Sequence, residues 1–169
     1  TPDTDKMKWV SLPPFPEEGR ILSTAAVCDS TLFIIGGCSL SRDNSGETSR
    51  TYLSDMIGYD MTSKDPSKWG SSGRQQLAGP GMPVAAAAGP APVRENSILL
   101  IGGDKRGNSP DPSRPVVQSR DILVYDVIGN TWTRQGEWPV GIATVPAVVR
   151  GSEIMTISGE TAPGVRTPV

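Results

Sequence analysis

Thr31-Leu32-Phe33-Ile34-Ile35-Gly36-Gly37 recurs 66 residues on as Ser97-Ile98-Leu99-Leu100-Ile101-Gly102-Gly103, and this self-similarity decides the fold. Each run is an apolar stretch of strand length stopped by a glycine pair, and a fixed offset between such runs marks a repeat architecture. The copies extend in both directions. Downstream, Ile57-Gly58-Tyr59-Asp60 returns at the same 66-residue offset as Leu123-Val124-Tyr125-Asp126. Each copy closes on a tryptophan, Trp69 and Trp132, and Trp9 ends a unit before the first. Upstream of each apolar run lies a Pro-containing turn and a small-residue strand, at 21–28, 84–93 and 142–149. A third unit then gives Glu153-Ile154-Met155-Thr156-Ile157-Ser158-Gly159.

Composition agrees with many short strands. The 169 residues include 19 Gly and 16 Pro, and no 3.6-residue periodicity is sustained. A net charge of −2 leaves no basic footprint for nucleic acid or an anionic membrane surface. No run approaches the roughly 18 apolar residues of a membrane-spanning helix. The two cysteines, Cys28 and Cys38, flank a hairpin turn and its returning strand. That places them about 20 Å apart, beyond disulfide reach, so both are expected free and packed. Histidine is absent, which removes the commonest general base and the commonest zinc or copper ligand from this stretch. Asp3, Asp5 and Asp111 lack metal-loop spacing, and no metal or cofactor is expected. Gly102 to Gly107 lacks the terminal Gly-Lys-Ser/Thr of a phosphate loop and no helix follows it.

The third copy departs from its predecessors. Where they carry Gly-Gly it carries Ser158-Gly159-Glu160, exchanging a structural glycine for a carboxylate and placing Arg166 six residues later. The loop between them holds Pro163 and Gly164, which lets the two side chains converge.

The double glycine, the Tyr-Asp and the spaced Trp resemble the kelch repeat, whose units run to about 50 residues. The resemblance covers the whole chain and implies an all-β fold, a kelch-type β-propeller segment of about two and a half blades. Its expected parts are the end of one blade at 1–15, blades at 20–70 and 83–135, and the first half of another at 140–169. The glycine pairs then lie near the axis, the Trp packs between blades, and Tyr and Asp brace the end of the third strand. Cys38–Tyr52 and Asp104–Ser119 read as long polar surface loops. Two and a half blades cannot close a ring, so the remaining blades are required, and each open end exposes an apolar face or an unpaired edge.

In such a propeller the connections entering first strands share a face with the loops after the glycine pairs. That mouth gathers Arg20, the stretch Asp104-Lys105-Arg106, and Glu160 with Arg166. A carboxylate directly after Gly159 points toward the axis, and an arginine beside it keeps it ionised, as a base requires. Arg20, Asp104, Lys105 and Arg106 are candidate substrate contacts. Arg42, Asp43, Arg50 and Tyr52 read as a lid edge or plain surface, and Asp60 and Asp126 as scaffold.

A narrower resemblance rests on Gly159-Glu160 followed by Pro163-Gly164-Val165-Arg166-Thr167, together with Trp138-Pro139 through Ala147. This is similar to the sialic acid mutarotase, or N-acetylneuraminate epimerase, family. The resemblance implies a six-bladed propeller, often exported to the periplasm, that interconverts the α and β anomers of N-acetylneuraminate. It makes Glu160 the proton acceptor and Arg166 its partner, with a small sugar acid as substrate and no cofactor, and it leaves a homodimer open. Two rival readings are a non-catalytic kelch module that binds a protein through its loop-rich face, and a copper-radical oxidase, whose histidine ligands this segment lacks.

Overall fold

The computed structural model describes residues 7–9, 11, 14–62, 82, 87–105 and 118–168, which form antiparallel strands with no helix among them. The first unit holds β1 (Arg20–Ile21), β2 (Thr24–Cys28), β3 (Thr31–Ile35), β4 (Cys38–Arg42), β5 (Thr48–Tyr52) and β6 (Met56–Asp60). The second holds β7 (Val93–Arg94), β8 (Ser97–Ile101), β9 (Asp121–Asp126) and β10 (Thr131–Glu137), and the third holds β11 (Ala147–Arg150), β12 (Glu153–Thr156), β13 (Glu160–Ala162) and β14 (Val165–Arg166).

The second unit is a complete four-stranded meander in the order β10-β9-β8-β7. The first repeats its inner three strands as β2-β3-β6, and the third repeats the inner two as β11-β12. Trp69, where the fourth strand of the first unit is expected, lies outside the described residues. Pro90 and Pro92 do not interrupt the inner strand of the second unit. Their carbonyls accept from Ile101 and Leu99 at 3.0 and 2.9 Å. Proline lacks only the N–H, and an inner edge strand needs none on its free side.

Three equivalent corners tie the units together. Leu22, Ala88 and Thr144 all have left-handed backbone, with φ of 59°, 58° and 53°. Ala88 N–H donates to Leu22 O and Thr144 N–H to Ala88 O, each at 2.8 Å, linking blade to blade. The first strands therefore stand side by side around an open cavity of about 540 Å³ whose lining includes Leu22, Thr24, Ala88, Pro92, Thr144 and Ala147. This is the inner side of the propeller segment.

The core lies between blade faces. Phe33 and Ile35 of β3, with Met56 of β6, pack on Ile98, Leu100, Leu123 and Tyr125 of the next blade. A second cluster joins Ile101 to Ile142 and Val145 across the next boundary. Tyr125 meets Phe33 edge-on at 5.9 Å and lies tilted against Trp132 at 5.1 Å. The tyrosine thus shares the contact between blades expected of the tryptophan, and Trp132 packs against the same cluster. The aspartates do close the third strand. Asp60 Oδ1 accepts from the backbone and hydroxyl of Thr62, and Asp126 Oδ1 from Ile128 N–H, turning the chain toward the next strand.

One expected loop is a hairpin. β4 and β5 pair from Cys38↔Tyr52 to Arg42↔Thr48, and β1 adds a third strand through Ile21↔Cys38. The tip is held by Asp43, whose Oδ1 accepts from Ser45 N–H, Ser45 Oγ and Glu47 N–H. The hydroxyl of Ser45, with those backbone donors, holds its carboxyl below the usual range. The segment is nearly all polar, so its alternation carries no hydrophobic signal, and backbone pairing anchored at buried Cys38 makes the strands. Both cysteines are buried thiols, not joined in a disulfide.

Candidate active site

The pairing registers define one position in each blade. The residue after the glycine pair bridges the residue before the left-handed corner: Cys38 to Ile21, Asp104 to Ala87, and Glu160 to Ala143. Cys38, Asp104 and Glu160 are therefore equivalent, and the glycine exchange expected at Glu160 is corrected. Ser158, with φ of 64°, takes the place of Gly36 and Gly102, at 55° and 66°. Glu160 instead occupies a position already acidic in the preceding blade.

A second row lies opposite. Leu53, Ser119 and Thr167 each donate their N–H to the second residue of the pair, Gly37, Gly103 and Gly159 respectively. The residues just before them, Tyr52, Gln118 and Arg166, are thus also equivalent. The mouth is built of Cys38/Tyr52, Asp104/Gln118 and Glu160/Arg166, in blade order.

The last pair sits on a hairpin made by Pro163-Gly164. Proline presets φ at the first turn position and Gly164, with φ of 72°, supplies the second. Glu160 pairs with Arg166 and Ala162 with Val165, so Thr161 is an extra bulged residue that re-aims the strand. Gly159 is required beneath it, because its φ is 121° and a Cβ there meets Val145 Cβ at 2.9 Å. Reciprocal backbone bonds of 2.9 Å between Glu160 and Ala143 fix the strand to the corner of its own blade. Arg166 Nη2 then stands 3.3 Å from Glu160 Oε1, with side-chain exposures of 72% for the arginine and 17% for the glutamate. An ion pair this exposed contributes about 0–1 kcal/mol of stability, so folding does not demand it. Chemically it offers a sheltered carboxylate beside a cation whose remaining donors face solvent.

The other candidates have partners within the protein. Arg20 donates from both terminal nitrogens to Asp55 at 2.8 Å, also reaches Gly36 O, and lies over the Phe15 ring at 4.9 Å. Its side chain is only 6% exposed. Asp104 is buried and accepts from Tyr52 Oη at 3.0 Å across the blade boundary. Lys105 is paired with Asp121. Arg106 lies outside the described residues. The structure thus brings Glu160 and Arg166 together and gives Arg20, Asp104 and Lys105 neighbours of their own. The Tyr52–Asp104 link joins residues 52 apart and is absent from the sequence reading, although the 66-residue offset from Tyr52 to Gln118 is a signal that could have found the row.

Asp121 anchors the charges around the second blade. Burial pushes its carboxyl up, but hydrogen bonds from Lys105 and Arg134, the Lys105 charge and the Ser119 hydroxyl outweigh that and hold it at about 2. A carboxyl lowered on folding stabilises above its unfolded value of about 3.9, and that stability is lost as pH falls through its folded value. Stability curves of the protein and its Asp121→Asn variant should therefore run parallel from pH 5 to 8. They should converge by the order of 1–2 kcal/mol between about pH 4 and 2. Chemical denaturation across that range checks this, and curves parallel throughout would remove the assignment.

No family model matches the chain. Curated relatives do match it. An N-acetylneuraminate epimerase of Yersinia enterocolitica is 23% identical over 193 residues, covering 98% of this chain and 47% of the relative. One from Haemophilus influenzae is 24% identical, covering 95% of this chain and 46% of the relative. The solved structure of YjhT superposes with a TM-score of 0.68 at 21% identity, over 94% of this chain and 50% of that chain. The fold is accordingly that of a propeller segment, and the resemblance to N-acetylneuraminate epimerases extends over nearly the whole chain. The chain spans about half the length of the curated relatives it matches.

Proposed function

We propose that the protein containing this segment is a sialic acid mutarotase-like isomerase, with Glu160 as base and Arg166 as its partner and carboxylate clamp. The six-bladed ring and periplasmic export implied by the resemblance belong to the same proposal. The observation that carries it is the 3.3 Å separation of Arg166 and the sheltered Glu160 carboxylate at the mouth. In a 2-keto sugar acid the carboxylate is bonded to the anomeric carbon, so a group binding one and a base serving the other must be neighbours.

The chemistry follows from that pairing. Glu160 takes the proton of the anomeric hydroxyl, its oxygen forms the carbonyl, and the bond from the anomeric carbon to the ring oxygen breaks. The ring oxygen takes a proton from water, the chain rotates, and closure on the other carbonyl face reverses each transfer. A planar guanidinium can hold the substrate carboxylate through two parallel hydrogen bonds, which keeps the anomeric centre within reach of the base.

The test is the approach to anomeric equilibrium of freshly dissolved α-N-acetylneuraminate, followed by proton NMR with the full-length protein. Acceleration proportional to protein concentration is expected. A rate equal to that of buffer would favour the rival reading of a binding module without catalysis.

A further inference from the structure

We propose that Gln118 is a substrate-contacting, specificity-determining residue of this mouth, its amide oxygen accepting a hydroxyl or amide N–H of the same sugar that Glu160 and Arg166 hold. The inference rests on the sugar-acid reading above.

Gln118 belongs to the second blade but leans on the third. It holds the position in its blade that Arg166 holds in the next, because Ser119 N–H donates to Gly103 O as Thr167 N–H donates to Gly159 O. Its own N–H donates at 3.5 Å to the carbonyl of Thr161, the residue after Glu160. Its carbonyl oxygen lies so close to the chain entering the third blade that a Cβ on Gly141 would meet it at 2.1 Å. One residue on, Ile142 N–H donates to Ser119 O at 3.3 Å. Gln118 is therefore wedged between Gly141 and Thr161, and the Ala143–Glu160 bridge ties those same two stretches together. Its backbone is clamped beside the hairpin that carries the base.

The side chain is what makes the position unusual. Gln118 is 2% exposed, and its Oε1 has no hydrogen-bond partner. Nearly all buried polar groups are paired, so an unmet amide oxygen beside a carboxylate–guanidinium pair marks a place for a donor. Burial also raises what a donor gains there. A hydrogen bond is ordinarily worth little net because both partners leave water to make it, and an oxygen closed off from solvent has already done so. The terminal torsion of glutamine is soft, so the amide turns toward the mouth without disturbing its clamped backbone. An acceptor repels a carboxylate, so Gln118 serves a different part of the ligand from Arg166, a neutral donor near the anomeric end. Such a site discriminates against analogues that lack the donor, since the buried oxygen is then left unpaired.

The experiment uses the full-length protein with N-acetylneuraminate as probe, measuring its affinity by calorimetry and KM and kcat by NMR. Gln118→Met keeps the length of the side chain and removes the amide. It should weaken Kd and raise KM together by about 10-fold, with a smaller fall in kcat. Its melting temperature should stay level or rise, because an unmet buried acceptor is gone. A lowered melting temperature, with or without a change in Kd, would make the amide a support of the fold and overturn the proposal. Gln118→Leu, of similar volume, decides the matter if the methionine variant fails to fold. An analogue with a hydroxyl in place of the acetamido group separates the two donors. A loss confined to N-acetylneuraminate assigns the amide N–H, and an equal loss with both sugars assigns a hydroxyl. Wild-type binding and anomerisation with unchanged Kd and KM in Gln118→Met would overturn this proposal alone. Binding that is weakened in Gln118→Met, in a protein that does not accelerate anomerisation, would sustain the contact while removing the mutarotase reading. No binding to the wild type would overturn both.

Discussion

Gly102→Ala is expected to destabilise the protein by at least about 3 kcal/mol and to lower its melting temperature by the order of 10 °C. Two independent terms set this size. Gly102 has a φ of 66°, which costs an L-residue about 1–2 kcal/mol. An added Cβ would also stand 2.3 Å from Ile142 O and 3.0 Å from Ser119 O, both backbone atoms that no rotamer change can clear. Relief requires the second and third blades to part where Gly103 N–H donates to Ile142 O at 2.7 Å. Gly151→Ala is the control. Its φ is 59° but nothing lies within 4 Å, so only the conformational term of about 1–2 kcal/mol applies. Urea unfolding of the two variants compares them directly, and equal losses would mean that the blade boundary yields more easily than its backbone contacts indicate.

Glu160→Gln is expected to lower the catalysed anomerisation rate by about 100-fold or more, the usual worth of a positioned general base. The amide fills the same space, keeps the backbone bridge to Ala143, and can still accept from Arg166, so the fold and the substrate clamp should survive. What it cannot do is take the anomeric proton. A small change in affinity with a large fall in kcat marks the loss of an interaction made in the transition state. Arg166→Lys should divide differently. It keeps the charge but loses the planar fork, so KM should rise more than kcat falls. A Glu160→Gln protein with a strongly raised KM and an unaltered kcat would make the glutamate a binding residue.

How much of this was legible in the sequence differs from part to part. The inner strands were readable because Thr31–Ile35 and Ser97–Ile101 carry their own signal, an apolar run stopped by glycines whose positive φ the structure displays. The β4–β5 hairpin was not, because Ser39 to Thr51 contains one apolar residue, Leu40, and its strands are held by backbone bonds and the Asp43 turn. The third glycine pair was misread for a similar reason. Sequence shows which residue stands where, but only backbone angles show that Ser158 has taken the left-handed place and moved Glu160 into line with Asp104. The convergence of Glu160 and Arg166 followed from Pro163-Gly164, since a two-residue turn brings its flanks together. Tyr52 was set aside as surface because its partner lies in the next blade, and a contact between blades leaves no local pattern. Arg20 drew attention by charge and position, yet nothing local in the sequence announces Asp55, which lies 35 residues away and takes both terminal nitrogens.

The account stands most directly on the carboxylate that follows Gly159. The measurement is the relaxation of pure α-N-acetylneuraminate to its anomeric equilibrium by NMR, with the full-length protein and its Glu160→Gln variant at equal concentration and matched circular dichroism. The account predicts clear acceleration by the protein and a rate within a few per cent of buffer for the variant. Equal acceleration by both would contradict it, and would leave Glu160 and Arg166 as a hairpin ion pair that faces only itself.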